Sequence, residues 1–193
     1  MAKTKEEASK TKVILKGVRF SYANVFRPTA IEGSDNAKYN VSLLIKKNHP
    51  QLAEIKKKIE LAIAGGHPKW KSKRPANLKL PLRDGDKERP DNPEYKGMYF
   101  LGANSHIKPK IVSTETEEVD GKEQLVQITD PEEFYSGCYG NASINFYTYG
   151  AAGNNGVACG LNNLQKTKDG ERLASGSTAD EDFAGESVEV DDL

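Results

Sequence analysis

The stretch CYGNASINFYTYG, residues 138–150, decides the fold class of this 193-residue chain. Read with period two, Cys138, Ala142, Ile144 and Phe146 share one side, and Tyr139, Asn141, Ser143, Asn145, Tyr147 and Tyr149 share the other. The first side is a core face. The second combines rings with amides, a mixture that can stack bases and bond their edges or phosphates. Tyrosines are also good strand formers whose hydroxyls reach water, so this face alone does not choose between the two uses. GVACGLNNLQK, residues 156–166, reads as a second long strand, joined to the first by the loop AAGNN.

Working outward, KVILKGVRFSY (12–22) is rich in β-branched and aromatic residues. Val13 and Leu15 have one parity and Val18, Phe20 and Tyr22 the other, so a bulge or bend at Gly17 would keep both sets facing inward. YNVSLLI (39–45) alternates cleanly. HPQLAEIKKKIELAIAGG (49–66) is the one clear helix: Pro50 suits its first position, Asn48 or His49 its cap, and Gly65-Gly66 its end. Leu52, Ile55, Ile59 and Ile63 form a single stripe. GMYFLGAN and HIKPKIVS read as strands, EEVDGKEQ as a hairpin turn into LVQI, and DPEEFYSG as a turn or short helix. Residues 67–94 read as a long loop. Many strands with one helix predict a small, mostly β domain, closed or partly closed.

Charge is separated along the chain. All 28 Lys and Arg residues precede position 173, and seven of the 28 acids fall after it, so the body carries +7 and the tail −7. Residues 178–193 are therefore expected to be a disordered acidic tail that competes for a basic groove, with residues 1–11 a flexible arm and 12–177 the folded domain. The tail residues in question are Asp180, Glu181, Asp182, Phe183, Glu186, Glu189, Asp191 and Asp192. No apolar run reaches the roughly 20 residues that cross a bilayer. With two cysteines and no secretory pattern, a host cytoplasm is expected.

Positive charge interleaved with rings points to a single-stranded polynucleotide. PKWKSKR (68–74) sets Trp70 among Lys69, Lys71, Lys73 and Arg74, and HIKPK supplies Lys108 and Lys110. Tyr139, Tyr147, Tyr149 and Trp70 are the stacking candidates, and those six cations the phosphate candidates. No metal or cofactor is expected: His49, His67 and His106 are scattered, the cysteines form no Cys-x-x-Cys pair, and DGDKERPDNPE has Arg89 where a calcium loop needs glycine. Rival readings are a metal-dependent nuclease using Glu115, Glu117 and Glu118, and a protein–protein adaptor acting through the tail.

FSYANVFRP (20–28), FYSGCYGNASINFYTYG (134–150), GVACGLNNLQK (156–166) and DGERLASG…ADEDF (169–183) together resemble a family of phage single-stranded DNA-binding proteins. The resemblance runs in order from Val13 to Phe183, and it is also similar to the replication proteins of short-tailed phages. It implies an OB-fold, a five-stranded Greek-key barrel with additional strands. The implied function is coating and protecting single strands in replication and recombination, without covalent chemistry. The implied tail contacts replication proteins and competes with DNA; from the charge separation, its removal is expected to tighten binding and admit double-stranded DNA. Tails of such relatives commonly finish on an aromatic residue, whereas this chain finishes on Leu193.

Overall fold

Two residues bend the first strand and so let one segment serve two sides of a barrel. Strand β1 (Lys12–Thr29) pairs antiparallel with β7 (Tyr139–Ala151) through its first half and with β2 (Lys38–Lys46) through its second. Its register slips between Leu15 and Val18, where Gly17 takes φ +64°. That is the left-handed region a glycine enters without strain. Val13, Leu15, Val18 and Phe20 consequently all face the core. A second bend falls at Tyr22, a non-glycine residue at φ +47°.

The computed structural model describes residues 9–30, 36–70, 73–151 and 153–173. After β2 come helix α1 (Leu52–Ala64), the short strand β3 (Leu82–Asp84), the one-turn helix α2 (Gly85–Glu88) and β4 (Met98–Ser105). The ribbon β5 (Lys110–Val119)–β6 (Lys122–Gln127) and the long hairpin β7–β8 (Asn154–Lys168) complete the chain. Strand order is β3-β4-β2-β1-β7-β8-β5-β6, and parallel pairing of β4 with β8 closes the ring β4-β2-β1-β7-β8. This is the five-stranded barrel expected of an OB-fold. Beyond the closure point β8 pairs with β5 instead, and the β5–β6 ribbon extends the sheet.

Ile55, Ile59, Ala62 and Ile63 of α1 are buried in the main core with Phe20, Leu43, Leu101, Ile144, Phe146 and Leu164. Phe20 and Phe134 meet at 4.9 Å between ring centroids. Cys138 and Cys159 are free and buried, and burial pushes both thiols up, as befits small core side chains.

Several local expectations are corrected. The N-cap is Gln51 rather than Asn48 or His49, so Pro50 precedes the helix instead of opening it; the Gln51 N–H donates to His49 Nδ1 at 3.1 Å. HIKPKIVS is strand only from Lys110; Lys108 and Pro109 lie in the turn before it. Within AAGNN, β7 runs to Ala151 and β8 restarts at Asn154, so Asn154 and Asn155 are strand rather than loop. Thr11, assigned to the loose arm, is buried and donates to the Phe146 carbonyl at 2.7 Å. Segment 67–94 is an ordered strap over the described residues. Lys47 grips Asp84 and Asp86 at 2.7 Å each, and Asp86 also accepts from the Gly97 N–H at 2.9 Å. Those contacts hold Asp86 below the usual carboxylate range and raise Lys47.

Candidate nucleic-acid interface

The strap leaves part of the barrel's outer surface covered and part open. On the covered part, Tyr95, Phe100 and Leu44 form a small second core, with Arg83 4.8 Å from the Phe100 ring. On the open part, strand register lines up one transverse row: Lys12, Asn145, Gly160, Asn104, Asn40 and Asn24 are successive cross-strand partners over β1, β7, β8, β4, β2 and the far half of β1. Partners in register share a face. Inward residues alternate with these, so the row lies on the outer surface.

Beside the row, β8 presents only small outer residues. Tyr149 stands opposite Gly156, Tyr147 opposite Ala158 and Asn145 opposite Gly160. A Cβ at Gly156 would come within 2.6 Å of the Tyr149 hydroxyl, so the missing side chain lets that ring lie across β8. Tyr147 and Tyr149 are both half-buried, and burial pushes the Tyr147 phenol up. Gly102 and Ser42 continue the low floor onto β4 and β2, where they are in register. The result is a low strip at Ala158, Gly102 and Ser42, the floor of the trough, with Tyr149 laid over Gly156 and Asn145 over Gly160 beside it. A flat ring fixed against backbone is a stacking platform that loses little entropy on binding.

Cations border those tyrosines. Lys79 pairs with Gly156 as an isolated bridge, its N–H donating to the Asn155 carbonyl at 3.0 Å. Lys12 is exposed next to Asn145, and Lys110 is exposed one row along, in register with Asn163 and through it Ser143. At the tyrosine end, Lys69, Lys73 and Arg74 are exposed, Lys73 and Arg74 lining a cavity of about 650 Å³ beside Trp70. Arg74 is shared with Glu60 at 3.2 Å.

Of the residues singled out in the sequence, Tyr147 and Tyr149 share the outer face of β7, while Lys73 and Arg74 line a cavity against α1 beside Trp70, with Lys69 exposed next to it. Lys71 and the acidic tail residues lie outside the described residues. Tyr139 stands apart, eight residues or about 27 Å along β7 from Tyr147. There its ring is flanked by Arg19 at 5.5 Å and Lys168 at 5.7 Å. Lys108 is turned onto Phe26, 5.9 Å from its ring. Trp70 is only 7% exposed, and its Nε1–H donates to the Tyr149 carbonyl at 3.3 Å. In this conformation the indole is a peg that fixes the tyrosine end, not an open platform in a loop.

A family model described as Enterobacter phage Enc34, ssDNA-binding protein, matches residues 11–193. The chain belongs to that family. Among relatives of known sequence, it is 30% identical over 178 residues to the putative protein p50 of Acyrthosiphon pisum secondary endosymbiont phage 1, covering 87% of this chain and 89% of that one. Among solved structures it is similar to the single-stranded DNA-binding protein from bacteriophage Enc34 in complex with ssDNA. That match has 25% identity, 85% coverage of this chain and 90% of the other, and a TM-score of 0.68. It also shares its fold with the bacteriophage T7 single-stranded DNA-binding protein gp2.5, at 18% identity, 94% and 98% coverage, and a TM-score of 0.51. The OB-fold and the phage family expected from the sequence are thus both found.

Membership in the Enc34 family gives the trough a context but does not assign its residues. Sequence reading missed Lys79, Asn104 and the small-residue floor, and it expected Tyr22 to face inward with Val18 and Phe20, whereas the bend at its own positive φ turns the ring outward. Tyr22 is 42% exposed, and Arg89 lies 6.0 Å from both its ring and that of Tyr95. The floor had a signal, the period-two series Gly156, Ala158, Gly160. The others become neighbours only through strand pairing distant in sequence.

Proposed function

We propose that this chain binds single-stranded DNA in the trough between Tyr147–Tyr149 and the β2–β4 face, coating naked strands during phage replication and recombination. The observation that carries the reading is the aromatic wall on a backbone floor, bordered by Lys12, Lys79 and Lys110, in a member of the Enc34 family. Bases stack on Tyr147 and Tyr149, each stack worth roughly 1–3 kcal/mol. Cations neutralise phosphates and release counterions, so affinity falls steeply with salt. Duplex DNA hides its base faces and gains nothing from the wall. Tyr139, clasped by Arg19 and Lys168, is a second contact point farther along the strand.

The acidic tail competes for the same cations and, when displaced, is available to replication proteins. With it removed, duplex DNA gains access to the surface. No bond is made or broken in this account. Glu115, Glu117 and Glu118 of the nuclease reading are exposed on the β5–β6 ribbon, where Glu117 pairs with Gln124 and Glu118 with Glu123. No group of three metal-ligating side chains occurs among the described residues.

Gel shifts comparing single-stranded DNA, duplex DNA and RNA across salt, with and without magnesium, test the reading. Single strands should be bound preferentially, with strong salt dependence, and should be protected rather than cut. Equal affinity for duplex, or cleavage, contradicts it.

A further inference from the structure

A strained tyrosine stands at the far end of the floor. Tyr22 takes φ +47°, and the one other non-glycine residue in that region among the described residues is Asp120, a hairpin turn former. A bulky residue there is an outlier, and such strain persists where the surroundings over-determine it, often at functional sites. A glycine would make the same bend freely. The tyrosine is instead held ring-outward. Asn92 Nδ2–H donates to its hydroxyl at 3.4 Å, its centroid lies 6.5 Å from that of Tyr95, and Arg89 is 6.0 Å from both rings. Even with these neighbours Tyr22 stays exposed.

Strand register sets this ring across the floor from Tyr147. Tyr147 is opposite Ala158, and the Ala103–Cys159 pair brings Gly102 alongside Ala158. Gly102 is opposite Ser42, and Ser42 is opposite Ser21, the residue before Tyr22. Ser21 is buried, and the Tyr95 hydroxyl donates to it at 3.5 Å, so the floor ends there. From β7 to this half of β1 is four strand spacings, about 19 Å along the sheet, so no single base touches both rings. Tyr22 also lines a hollow of about 290 Å³ with Phe26, whose ring has Lys108 at 5.9 Å. Glu94, the one carboxylate on that lining, accepts from Asn92 at 3.4 Å. The far end thus pairs two rings with two cations, a combination that takes a base on the ring and a phosphate on the charge. Stacking reads no base identity, so a strand of any sequence can be held at both ends of the floor.

We propose that Tyr22 and Arg89 form a second wall of the trough, the ring stacking one base and the guanidinium meeting its phosphate. The inference rests on the single-strand reading above. Anisotropy of the full-length protein with labelled oligothymidylate, paired with thermal melts, tests it. Tyr22→Ala and Tyr22→Gly both remove the ring and should weaken binding equally, by about fivefold or more, the lower end of one base–aromatic stack. The glycine also relieves the backbone, so that variant should melt higher than the alanine one. Affinity then follows the ring and not the stability. Tyr22→Phe should bind within about twofold of wild type, and Arg89→Gln should flatten the slope of log K against log salt by about 0.7. Wild-type affinity in Tyr22→Gly, or Gly and Ala affinities that differ in step with their melting temperatures, overturns the inference and leaves the single-strand reading intact. An unchanged salt slope in Arg89→Gln does the same. Tighter binding by Tyr22→Gly also overturns it, making the ring a seat for the acidic tail. A wild type that binds no single strand overturns both readings.

Discussion

Tyr147→Ala separates a stacking wall from an ordinary strand tyrosine. Tyr147 stands opposite Ala158 on the outer face of β7 and is half-buried. Removing it deletes one platform, costing roughly 1–3 kcal/mol of binding, or about 5- to 150-fold in Kd. Because the ring is only half-buried, the fold should lose less than the 3–5 kcal/mol typical of a fully buried aromatic, on the order of 1–2 kcal/mol. For a domain of this size that lowers Tm by roughly 2–8 °C. Tyr147→Phe keeps the stack and should bind within about twofold of wild type. Anisotropy with oligothymidylate, repeated over a salt series, reads all three proteins. Since tyrosine neutralises no phosphate, the slope of log K against log salt should be the same for each. Unchanged affinity in Tyr147→Ala, or equal losses in the Phe and Ala variants, refutes stacking at this position. A collapse of Tm well beyond 10 °C makes the ring core instead.

Lys79→Ala and Lys110→Ala should each flatten that salt slope by about 0.7, the increment for one phosphate contact on a single strand, while melting as wild type does. Gly140→Ala should unfold the barrel or lower Tm severely, because its Cβ would fall 1.9 Å from the Gln165 carbonyl oxygen and 2.9 Å from Phe20; thermal denaturation followed by circular dichroism checks it. The phenol of Tyr147, pushed up by burial, should ionise after an ordinary tyrosine in a spectrophotometric titration. A raised folded value means its contribution to stability is complete below the unfolded value and is lost as pH rises through the folded one, a dependence that Tyr147→Phe should abolish. Deleting residues 178–193 should tighten single-strand binding most at low salt and admit duplex DNA; unchanged affinities in gel shifts contradict the competing tail.

Local pattern was enough for the barrel's strands. The parity switch across Gly17 located the bend in β1, Asp120-Gly121 with φ 51° and 73° made the β5–β6 turn, and the stripe of α1 located the helix core. The site was legible only on β7, where Tyr147 and Tyr149 alternate with buried neighbours. Trp70 was misplaced because PKWKSKR is locally a basic loop; its burial comes from Tyr149, 79 residues away. Asn104 meets Asn145 only through a parallel β4–β8 closure that no short-range signal encodes. Segment 67–94 looked structureless for a similar reason, since its anchor is Lys47 on the far side of α1.

Photocrosslinking tests the trough most directly. A single strand carrying 5-iodouracil, irradiated with the full-length protein and mapped by mass spectrometry, should attach to Tyr147 or Tyr149, with Tyr139 and Tyr22 secondary. Adducts confined to α1 or to the β5–β6 ribbon, with the β7 tyrosines unmodified, contradict the account.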